Sequence, residues 1–333
     1  MAEIGVLGAG GWGTALAVMA DRYGHQVKLW SAFPQELEDI RRDGENKKLL
    51  PGITVPSSVN LTADLEDAAR GSLCILAVPS IAVRDIARRI AGVSRPGLCV
   101  VNVGKGLEDG SKKRLSQVIQ EEIPKARVVA LSGPSHAEEV GRDIPTTVVA
   151  SSREIADAEY VQDILMNPNF RIYTNSDLIG VELGGTVKNV IALAAGICDG
   201  MGLGDNSKAA LLTRGIAEIA RLGVAMGANL QTFAGLTGIG DLIVTCTSMH
   251  SRNRRAGMLV GQGVAPQEAL RQVGTVEGYY AAKVVHELAL EQKVDMPISE
   301  KCYQIMYQGA SPQEAIRQLM ARPKKHENEY PVW

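Results

Sequence analysis

The chain has 333 residues, 45% hydrophobic and 22% charged, so it is long enough for two globular domains and too apolar for a disordered or fibrous chain. Its 35 Lys and Arg against 37 Asp and Glu give a formal net charge of −2, which excludes the basic excess of a nucleic-acid binder. Five scattered cysteines (Cys74, Cys99, Cys198, Cys246 and Cys302) form no Cys-x-x-Cys pair, so they read as reduced thiols and no metal site is expected.

The predicted elements begin with a strand over Glu3–Leu7, the turn Gly8-Ala9-Gly10-Gly11-Trp12-Gly13 and a helix over Thr14–Arg22. With no basic region before a long apolar core, this start does not read as a signal peptide. Short apolar runs recur at Val27–Trp30, Leu73–Val78, Leu98–Val103, Val128–Leu131, Thr147–Ala150 and Phe170–Tyr173. Helical patterns fall at Ser80–Val93, with Ile81, Ile86 and Ile90 spaced for one face, and at Ser111–Ile123 and Glu154–Met166. Continuously apolar strands alternating with helices predict a mainly parallel sheet covered on both faces, the doubly wound α/β class.

After residue 178 no strand is expected. Leu183, Val187, Val190, Ile191, Ala194 and Cys198 recur at helical spacing, as do Leu212, Ile216, Ile219 and Met226. Further helices are expected near Pro266–Gln272, Ala281–Gln292, Ser299–Gln308 and Pro312–Ala321, the last opened by a Ser311–Glu314 cap. The domains therefore read as a doubly wound unit over 1–178, an all-helical unit over 179–322 and a mobile polar tail over 323–333. No run of about 18 apolar residues is apparent, so no membrane span is expected, and the reduced thiols read as those of a cytoplasmic protein. The helical half has apolar surface enough for a homodimer, the default symmetric assembly.

The glycine turn carries the first chemistry. Gly8 allows the tight turn, Gly10 admits the pyrophosphate to the backbone, Gly13 lets strand and helix pack, and the helix N-terminus attracts phosphate. Its place between the first strand and a helix makes it a dinucleotide site, and the first domain a Rossmann unit. NAD-specific sites carry an acid roughly 20 residues further on. Here Trp30-Ser31-Ala32-Phe33 offers neither an acid nor an Arg, so the cofactor is written NAD(P). Lys47 and Lys48 read as a solvated loop. Val78-Pro79-Ser80 and Lys105-Gly106 end strands and should border the nicotinamide, and Lys105 between two glycines reads as functional.

Several motifs in order resemble the bacterial NAD(P)-dependent glycerol-3-phosphate dehydrogenases over nearly the full length. They are Gly8–Thr14, Lys105-Gly106-Leu107-Glu108, Ser132-Gly133-Pro134-Ser135, Gly180–Asn189, Gly238-Ile239-Gly240-Asp241-Leu242, Ser251-Arg252-Asn253-Arg254-Arg255 and Val276-Glu277-Gly278. The resemblance implies hydride transfer between sn-glycerol 3-phosphate and dihydroxyacetone phosphate, supplying glycerol 3-phosphate for phospholipid synthesis. It implies Lys188 as the proton acceptor. It implies Lys105, Gly133, Ser135, Lys188, Asp241, Ser251, Arg252 and Asn253 as substrate contacts. Gly11, Trp12, Lys105, Ala137, Arg252 and Glu277 are implied cofactor contacts. Many relatives carry Arg or His where Ala32 stands, so no NADPH preference is carried over.

The residues make chemical sense of these roles. Oxidising a secondary alcohol needs a base for the hydroxyl proton, and a lysine drawn into a dry cleft beside an apolar stripe loses its charge more easily. Lys188 lies between Val187 and Val190 on such a stripe; Lys105, a second cation, would push the same way and polarise a carbonyl in reduction. Asp241 could orient Lys188 or a substrate hydroxyl, or be a turn residue. His136 reads as a loop residue. Ser251-Arg252-Asn253 offers a hydroxyl, a guanidinium fork and an amide at the start of a helix expected over Arg254–Gly261, a fitting cradle for a substrate phosphate. Arg254 and Arg255 read as solvated or paired, and Lys112-Lys113-Arg114 as a solvated face or an anion site. The alternatives are a related two-domain hydroxy-acid or sugar-acid dehydrogenase and a non-catalytic dinucleotide-sensing protein. The former commonly has Asn four residues after its lysine, where this chain has Ala192.

Overall fold

A computed structural model describes residues 1–324, 326 and 327. Strands β1 (Glu3–Leu7), β2 (Gln26–Trp30), β3 (Asn60–Thr62), β4 (Leu73–Leu76), β5 (Cys99–Asn102), β6 (Arg127–Ser132), β7 (Thr146–Ser151) and β8 (Phe170–Asn175) form one sheet in the order β3-β2-β1-β4-β5-β6-β7-β8. Every neighbouring pair is parallel except β6–β7. The order reverses between β1 and β4, the switch point at which such sheets open a crevice beyond their strand ends.

Helices α1 (Gly11–Arg22), α2 (Pro34–Asp43), α3 (Leu65–Ala69), α4 (Val83–Ala91), α5 (Leu115–Glu122), α6 (Ala137–Gly141) and α7 (Ile155–Leu165) connect the strands. Val6, Leu29 and Ile75 turn to one face of the sheet, and Leu7, Cys74 and Leu76 to the other, each packed under helices. Three local expectations need correction. Ser80–Ala82 is a 3₁₀ turn before α4, so Ile81 is exposed while Ile86 and Ile90 are buried. The helix expected from Ser111 starts at Leu115, because Lys112 takes a left-handed φ of 59°. β3, α2, α3 and α6 were not anticipated; α2 buries only Leu37 and Ile40, too few to set a visible apolar rhythm.

From Leu178 onward, all the described strands have ended. Helix α8 (Leu178–Gly200) is followed by α9 (Asp205–Ala225), α10 (Asp241–Thr247), α11 (Arg252–Gly261), α12 (Pro266–Val273), α13 (Glu277–Gln292), α14 (Pro297–Gln308) and α15 (Pro312–Met320). The expectation of no membrane-length apolar stretch is corrected in one respect. By length and composition α8 could cross a membrane, but 94% of its most apolar window is buried inside the protein. It is the central helix of the second half, which explains its apolar circumference. The tail expected over 323–333 falls largely on residues 325 and 328–333, outside the described ones.

Glycines set α11 against α8. A Cβ on Gly196 would lie 2.1 Å from the Arg254 carbonyl oxygen, and one on Gly257 2.1 Å from that of Leu193. Only backbone-to-backbone contact brings the helices this close. The consequence for the site is direct, since it lays Asn253 at the start of α11 on Asn189 of α8.

Candidate active site

The glycine turn has the predicted form. Gly8 has φ +124° with its missing Cβ 2.5 Å from the Ala77 carbonyl oxygen, and a Cβ on Gly13 would fall 1.9 Å from the oxygen of Gly8. The side of Gly10 is open, with nothing within 4 Å of a Cβ placed there. Gly10 caps α1 without a side chain and the first turn carries no acid, so the N–H groups of Gly11, Trp12 and Gly13 remain for an anionic ligand. This is a cradle that fits a dinucleotide's pyrophosphate. Ala137 at the start of α6 borders it, 3.9 Å from a Cβ on Gly11. Trp12 packs partly buried on the sheet's core. Asn46, unanticipated, braces the turn by donating to the Ala9 carbonyl at 2.9 Å and to Thr14 Oγ1 at 3.1 Å.

The end of β2 is not empty of acid. Buried Ser31 donates to Glu36 Oε2 at 2.7 Å and accepts from the Phe33 N–H at 3.1 Å. Glu36 comes from the first turn of α2, too far along the chain for a search at the strand end to find. Lys47 and Lys48 are exposed, as expected of a solvated loop.

Lys105, Lys188 and Asp241 converge. Lys188 is 3% exposed and Asp241 2%. Asp241 Oδ1 is 3.1 Å from Lys188 Nζ, and its Oδ2 accepts from Lys105 Nζ at 2.6 Å. Lys105 Nζ also donates to the Gly133 carbonyl at 3.0 Å, and Lys188 Nζ to Thr245 Oγ1 at 2.6 Å and Asn189 Oδ1 at 3.1 Å. Two adjacent glycines of α8 permit this. A Cβ on Gly184 would meet the Thr237 carbonyl oxygen at 2.8 Å, and one on Gly185 would meet Ser132 Oγ at 2.7 Å. The turn leading to Asp241 and the end of β6 can therefore lie against the helix.

Burial drives the Lys188 ammonium down to about 8, with Asp241 opposing and Lys105 assisting. Burial alone would raise Asp241, but the two lysines outweigh it and hold the carboxyl below its ordinary range. The result is one fixed carboxylate between two cations, one of which loses its proton near neutrality.

The predicted phosphate cradle divides. Ser251 caps α11, its Oγ accepting from the Arg254 N–H at 3.2 Å. Asn253 is fully engaged, donating to Asn189 Oδ1 at 2.9 Å and accepting from the Gly278 N–H at 2.8 Å. Arg252 is exposed and has no hydrogen bond or ion pair among the described residues. Arg254 pairs with Asp199 at 2.7 Å. Arg114 forms a buried pair with Glu182 at 2.5 Å, Lys112 pairs with Glu291 and Lys113 with Glu121, so this basic run is structural. Ser135 turns back to donate to the Gly133 carbonyl at 3.0 Å. Glu277 accepts from the Ser80 N–H at 3.2 Å and Oγ at 2.7 Å, linking the start of α13 to the loop beyond β4. Burial raises its carboxyl, with Ser80 and Arg252 opposing.

Models of the NAD-dependent glycerol-3-phosphate dehydrogenase N-terminus and C-terminus match residues 3–158 and 177–317. The chain belongs to this family. Glycerol-3-phosphate dehydrogenase [NAD(P)+] of Desulfitobacterium hafniense is 54% identical over 330 residues, covering 99% of this chain and 94% of the relative. That of Moorella thermoacetica is also 54% identical, over 99% of both chains. The crystal structure of glycerol-3-phosphate dehydrogenase from Coxiella burnetii superimposes with a TM-score of 0.93 at 37% identity, covering 96% of this chain and 99% of that one.

Within this glycerol-3-phosphate dehydrogenase chain, Thr245 was missed from sequence; it and Asn189, the last residue of the Gly180–Asn189 motif, bind the Lys188 ammonium. Ser80, expected beside the nicotinamide, holds Glu277. Thr245 lies one helical turn beyond Asp241, a spacing that was the one available signal. His136, read as a loop residue, is half-buried with its ring 5.5 Å from that of His250.

Proposed function

We propose that the chain interconverts sn-glycerol 3-phosphate and dihydroxyacetone phosphate with NAD(P), in the cytoplasm and as a homodimer, with glycerol 3-phosphate for phospholipid synthesis as its product in the cell. The observation that carries the reading is the buried Lys188–Asp241–Lys105 triad, in which one carboxylate holds two ammonium groups. When bound, the nicotinamide accepts or supplies the hydride. In oxidation the neutral Lys188 Nζ takes the hydroxyl proton of the substrate; in reduction the charged form returns it. Lys105 favours the growing negative charge on the carbonyl oxygen, and Asp241 holds both ammonium groups in register. Arg252 and the free N–H groups at the start of α11 receive the substrate phosphate. Gly133 and Ser135 line the same side, and Glu277 with Ser80 faces the cofactor.

Free cysteines, four of them buried, fit a reducing compartment. The test is a panel of dihydroxyacetone phosphate, dihydroxyacetone and 2-oxo acids under NADH and NADPH. Reduction confined to the phosphorylated ketone supports the reading. Turnover of 2-oxo acids would favour a hydroxy-acid dehydrogenase, and cofactor binding without turnover a dinucleotide sensor.

A further inference from the structure

Two polar atoms near the site are buried without a partner among the described residues, Ser132 Oγ against Gly185 and His136 Nε2, and the second belongs to a titratable ring that the mechanism does not use. A buried nitrogen left so carries an uncompensated desolvation cost, which a hydrogen bond to a ligand would recover. Its ring stands 5.5 Å from His250, tilted at 52°. The two rings come from opposite walls, His136 from the loop between β6 and α6 and His250 from the loop before α11. Their neighbours in sequence are Ser135, which lines the substrate side, and Ser251, which caps the helix whose start receives the substrate phosphate. His250 Nδ1 lies 3.4 Å from Glu138 Oε1, so an acid of α6 steadies the second ring across the cleft.

The charges around His136 are Glu138 and Glu139 on α6, His250 opposite and Lys188 on α8. Burial lowers its imidazolium below the usual value, Glu138 and Glu139 oppose this, and His250 and Lys188 add to it. In the free protein the ring is therefore predominantly neutral near pH 7. A phosphate dianion beside it would reverse that balance, and a protonated ring has donors on both nitrogens.

We propose that His136, steadied by His250, is a further phosphate-recognition residue, taking a proton from solvent and donating it from Nε2 in a hydrogen bond to a phosphate oxygen of the bound substrate. This rests on the activity proposed above. A phosphate oxygen could also come from the cofactor's pyrophosphate, since Ala137 borders Gly11. The substrate is favoured because the ring faces His250 and feels the charge of Lys188.

The full chain saturated with NADH is titrated with sn-glycerol 3-phosphate, a pair that cannot react because both are reduced. Calorimetry near neutral pH in two buffers of different ionisation enthalpy reads the protons taken up. The expected result is net uptake by the unaltered protein and its loss in His136→Phe. His136→Gln donates without titrating, so it binds the substrate more tightly than His136→Phe and also shows no uptake. In turnover, His136→Phe raises the KM for dihydroxyacetone phosphate roughly tenfold at slightly acid pH, as loss of a charge-assisted bond requires, and the difference closes at alkaline pH. Equal uptake in all three proteins would overturn the proposal. So would uptake that accompanies NADH alone, which would assign the ring to the pyrophosphate. No turnover of dihydroxyacetone phosphate together with His136-dependent uptake would sink the activity and leave the phosphate contact standing.

Discussion

Replacing Asp241 by Asn tests the electrostatics of the triad. The carboxylate lies 3.1 Å from Lys188 Nζ and opposes the burial that brings this ammonium to about 8. With an effective dielectric near 20, a unit charge at that distance is worth about 5 kcal/mol. Lys105 shares the carboxylate and Asn keeps a dipole there, so the realised change is smaller; at roughly 1.4 kcal/mol per pH unit it still exceeds about one unit. Removing Asp241 also leaves Lys105 unopposed, which acts in the same direction. Oxidation needs the neutral amine, so kcat/KM for glycerol 3-phosphate rises with pH and levels off above the Lys188 pKa. In Asp241→Asn the rising limb moves to lower pH by at least about one unit, although the plateau itself falls. Lys105→Gln removes a repelling cation and moves the limb to higher pH. The assay is the pH dependence of kcat/KM for both variants. A limb that stays in place in both, or moves up in Asp241→Asn, would refute the coupling.

Other expectations follow from single contacts. Arg252→Ala should raise the KM for dihydroxyacetone phosphate at least roughly tenfold, as loss of a charge-assisted bond implies, with little effect on dihydroxyacetone; equal effects on both would remove Arg252 from the phosphate site. Glu36, held by Ser31 at the end of β2, would face the 2′ group of a dinucleotide bound in the usual way beyond the first two strands. NADH should therefore be preferred, and Glu36→Ala should narrow the kcat/KM ratio of NADH to NADPH severalfold; an unchanged ratio would place Glu36 away from the ribose. Gly257→Ala drives a Cβ to 2.1 Å from the Leu193 carbonyl oxygen, so chemical denaturation should show a loss of about 2 kcal/mol or more. An unchanged midpoint would mean that α8 and α11 can part without cost.

The sheet was legible because strands such as Leu73–Leu76 and Cys99–Asn102 are buried on both faces and so apolar throughout. β3 escaped because three residues set no pattern; β7 was expected as a strand, but its antiparallel direction was not, because direction leaves no trace in an apolar run. α8 was seen as a stripe but is buried almost all round, which hid its full apolar length from a search for uninterrupted runs. In the site, Lys105, Lys188 and Asp241 stood out as motif residues. Their shared carboxylate could not be read, since Lys105 and Asp241 are 136 residues apart. Ser251 and Asn253 were read as ligands from their chemistry, yet their own side chains cap and brace α11, and of that trio Arg252 is left unpaired among the described residues. Glu36 and His136 were passed over for a common reason. Each acquires its meaning from a partner on another element, Ser31 and His250 respectively.

The central claim is that buried Lys188 moves the proton in the reduction of dihydroxyacetone phosphate. The most direct measurement is steady-state oxidation of NADH and NADPH by that substrate, run in parallel on the unaltered protein and Lys188→Ala, with helical circular dichroism as the check on folding. The mechanism predicts turnover by the former and a kcat lower by about 10²-fold or more in the latter, with the fold intact. A folded Lys188→Ala protein with near-normal kcat, or an unaltered protein that leaves dihydroxyacetone phosphate untouched, would contradict it.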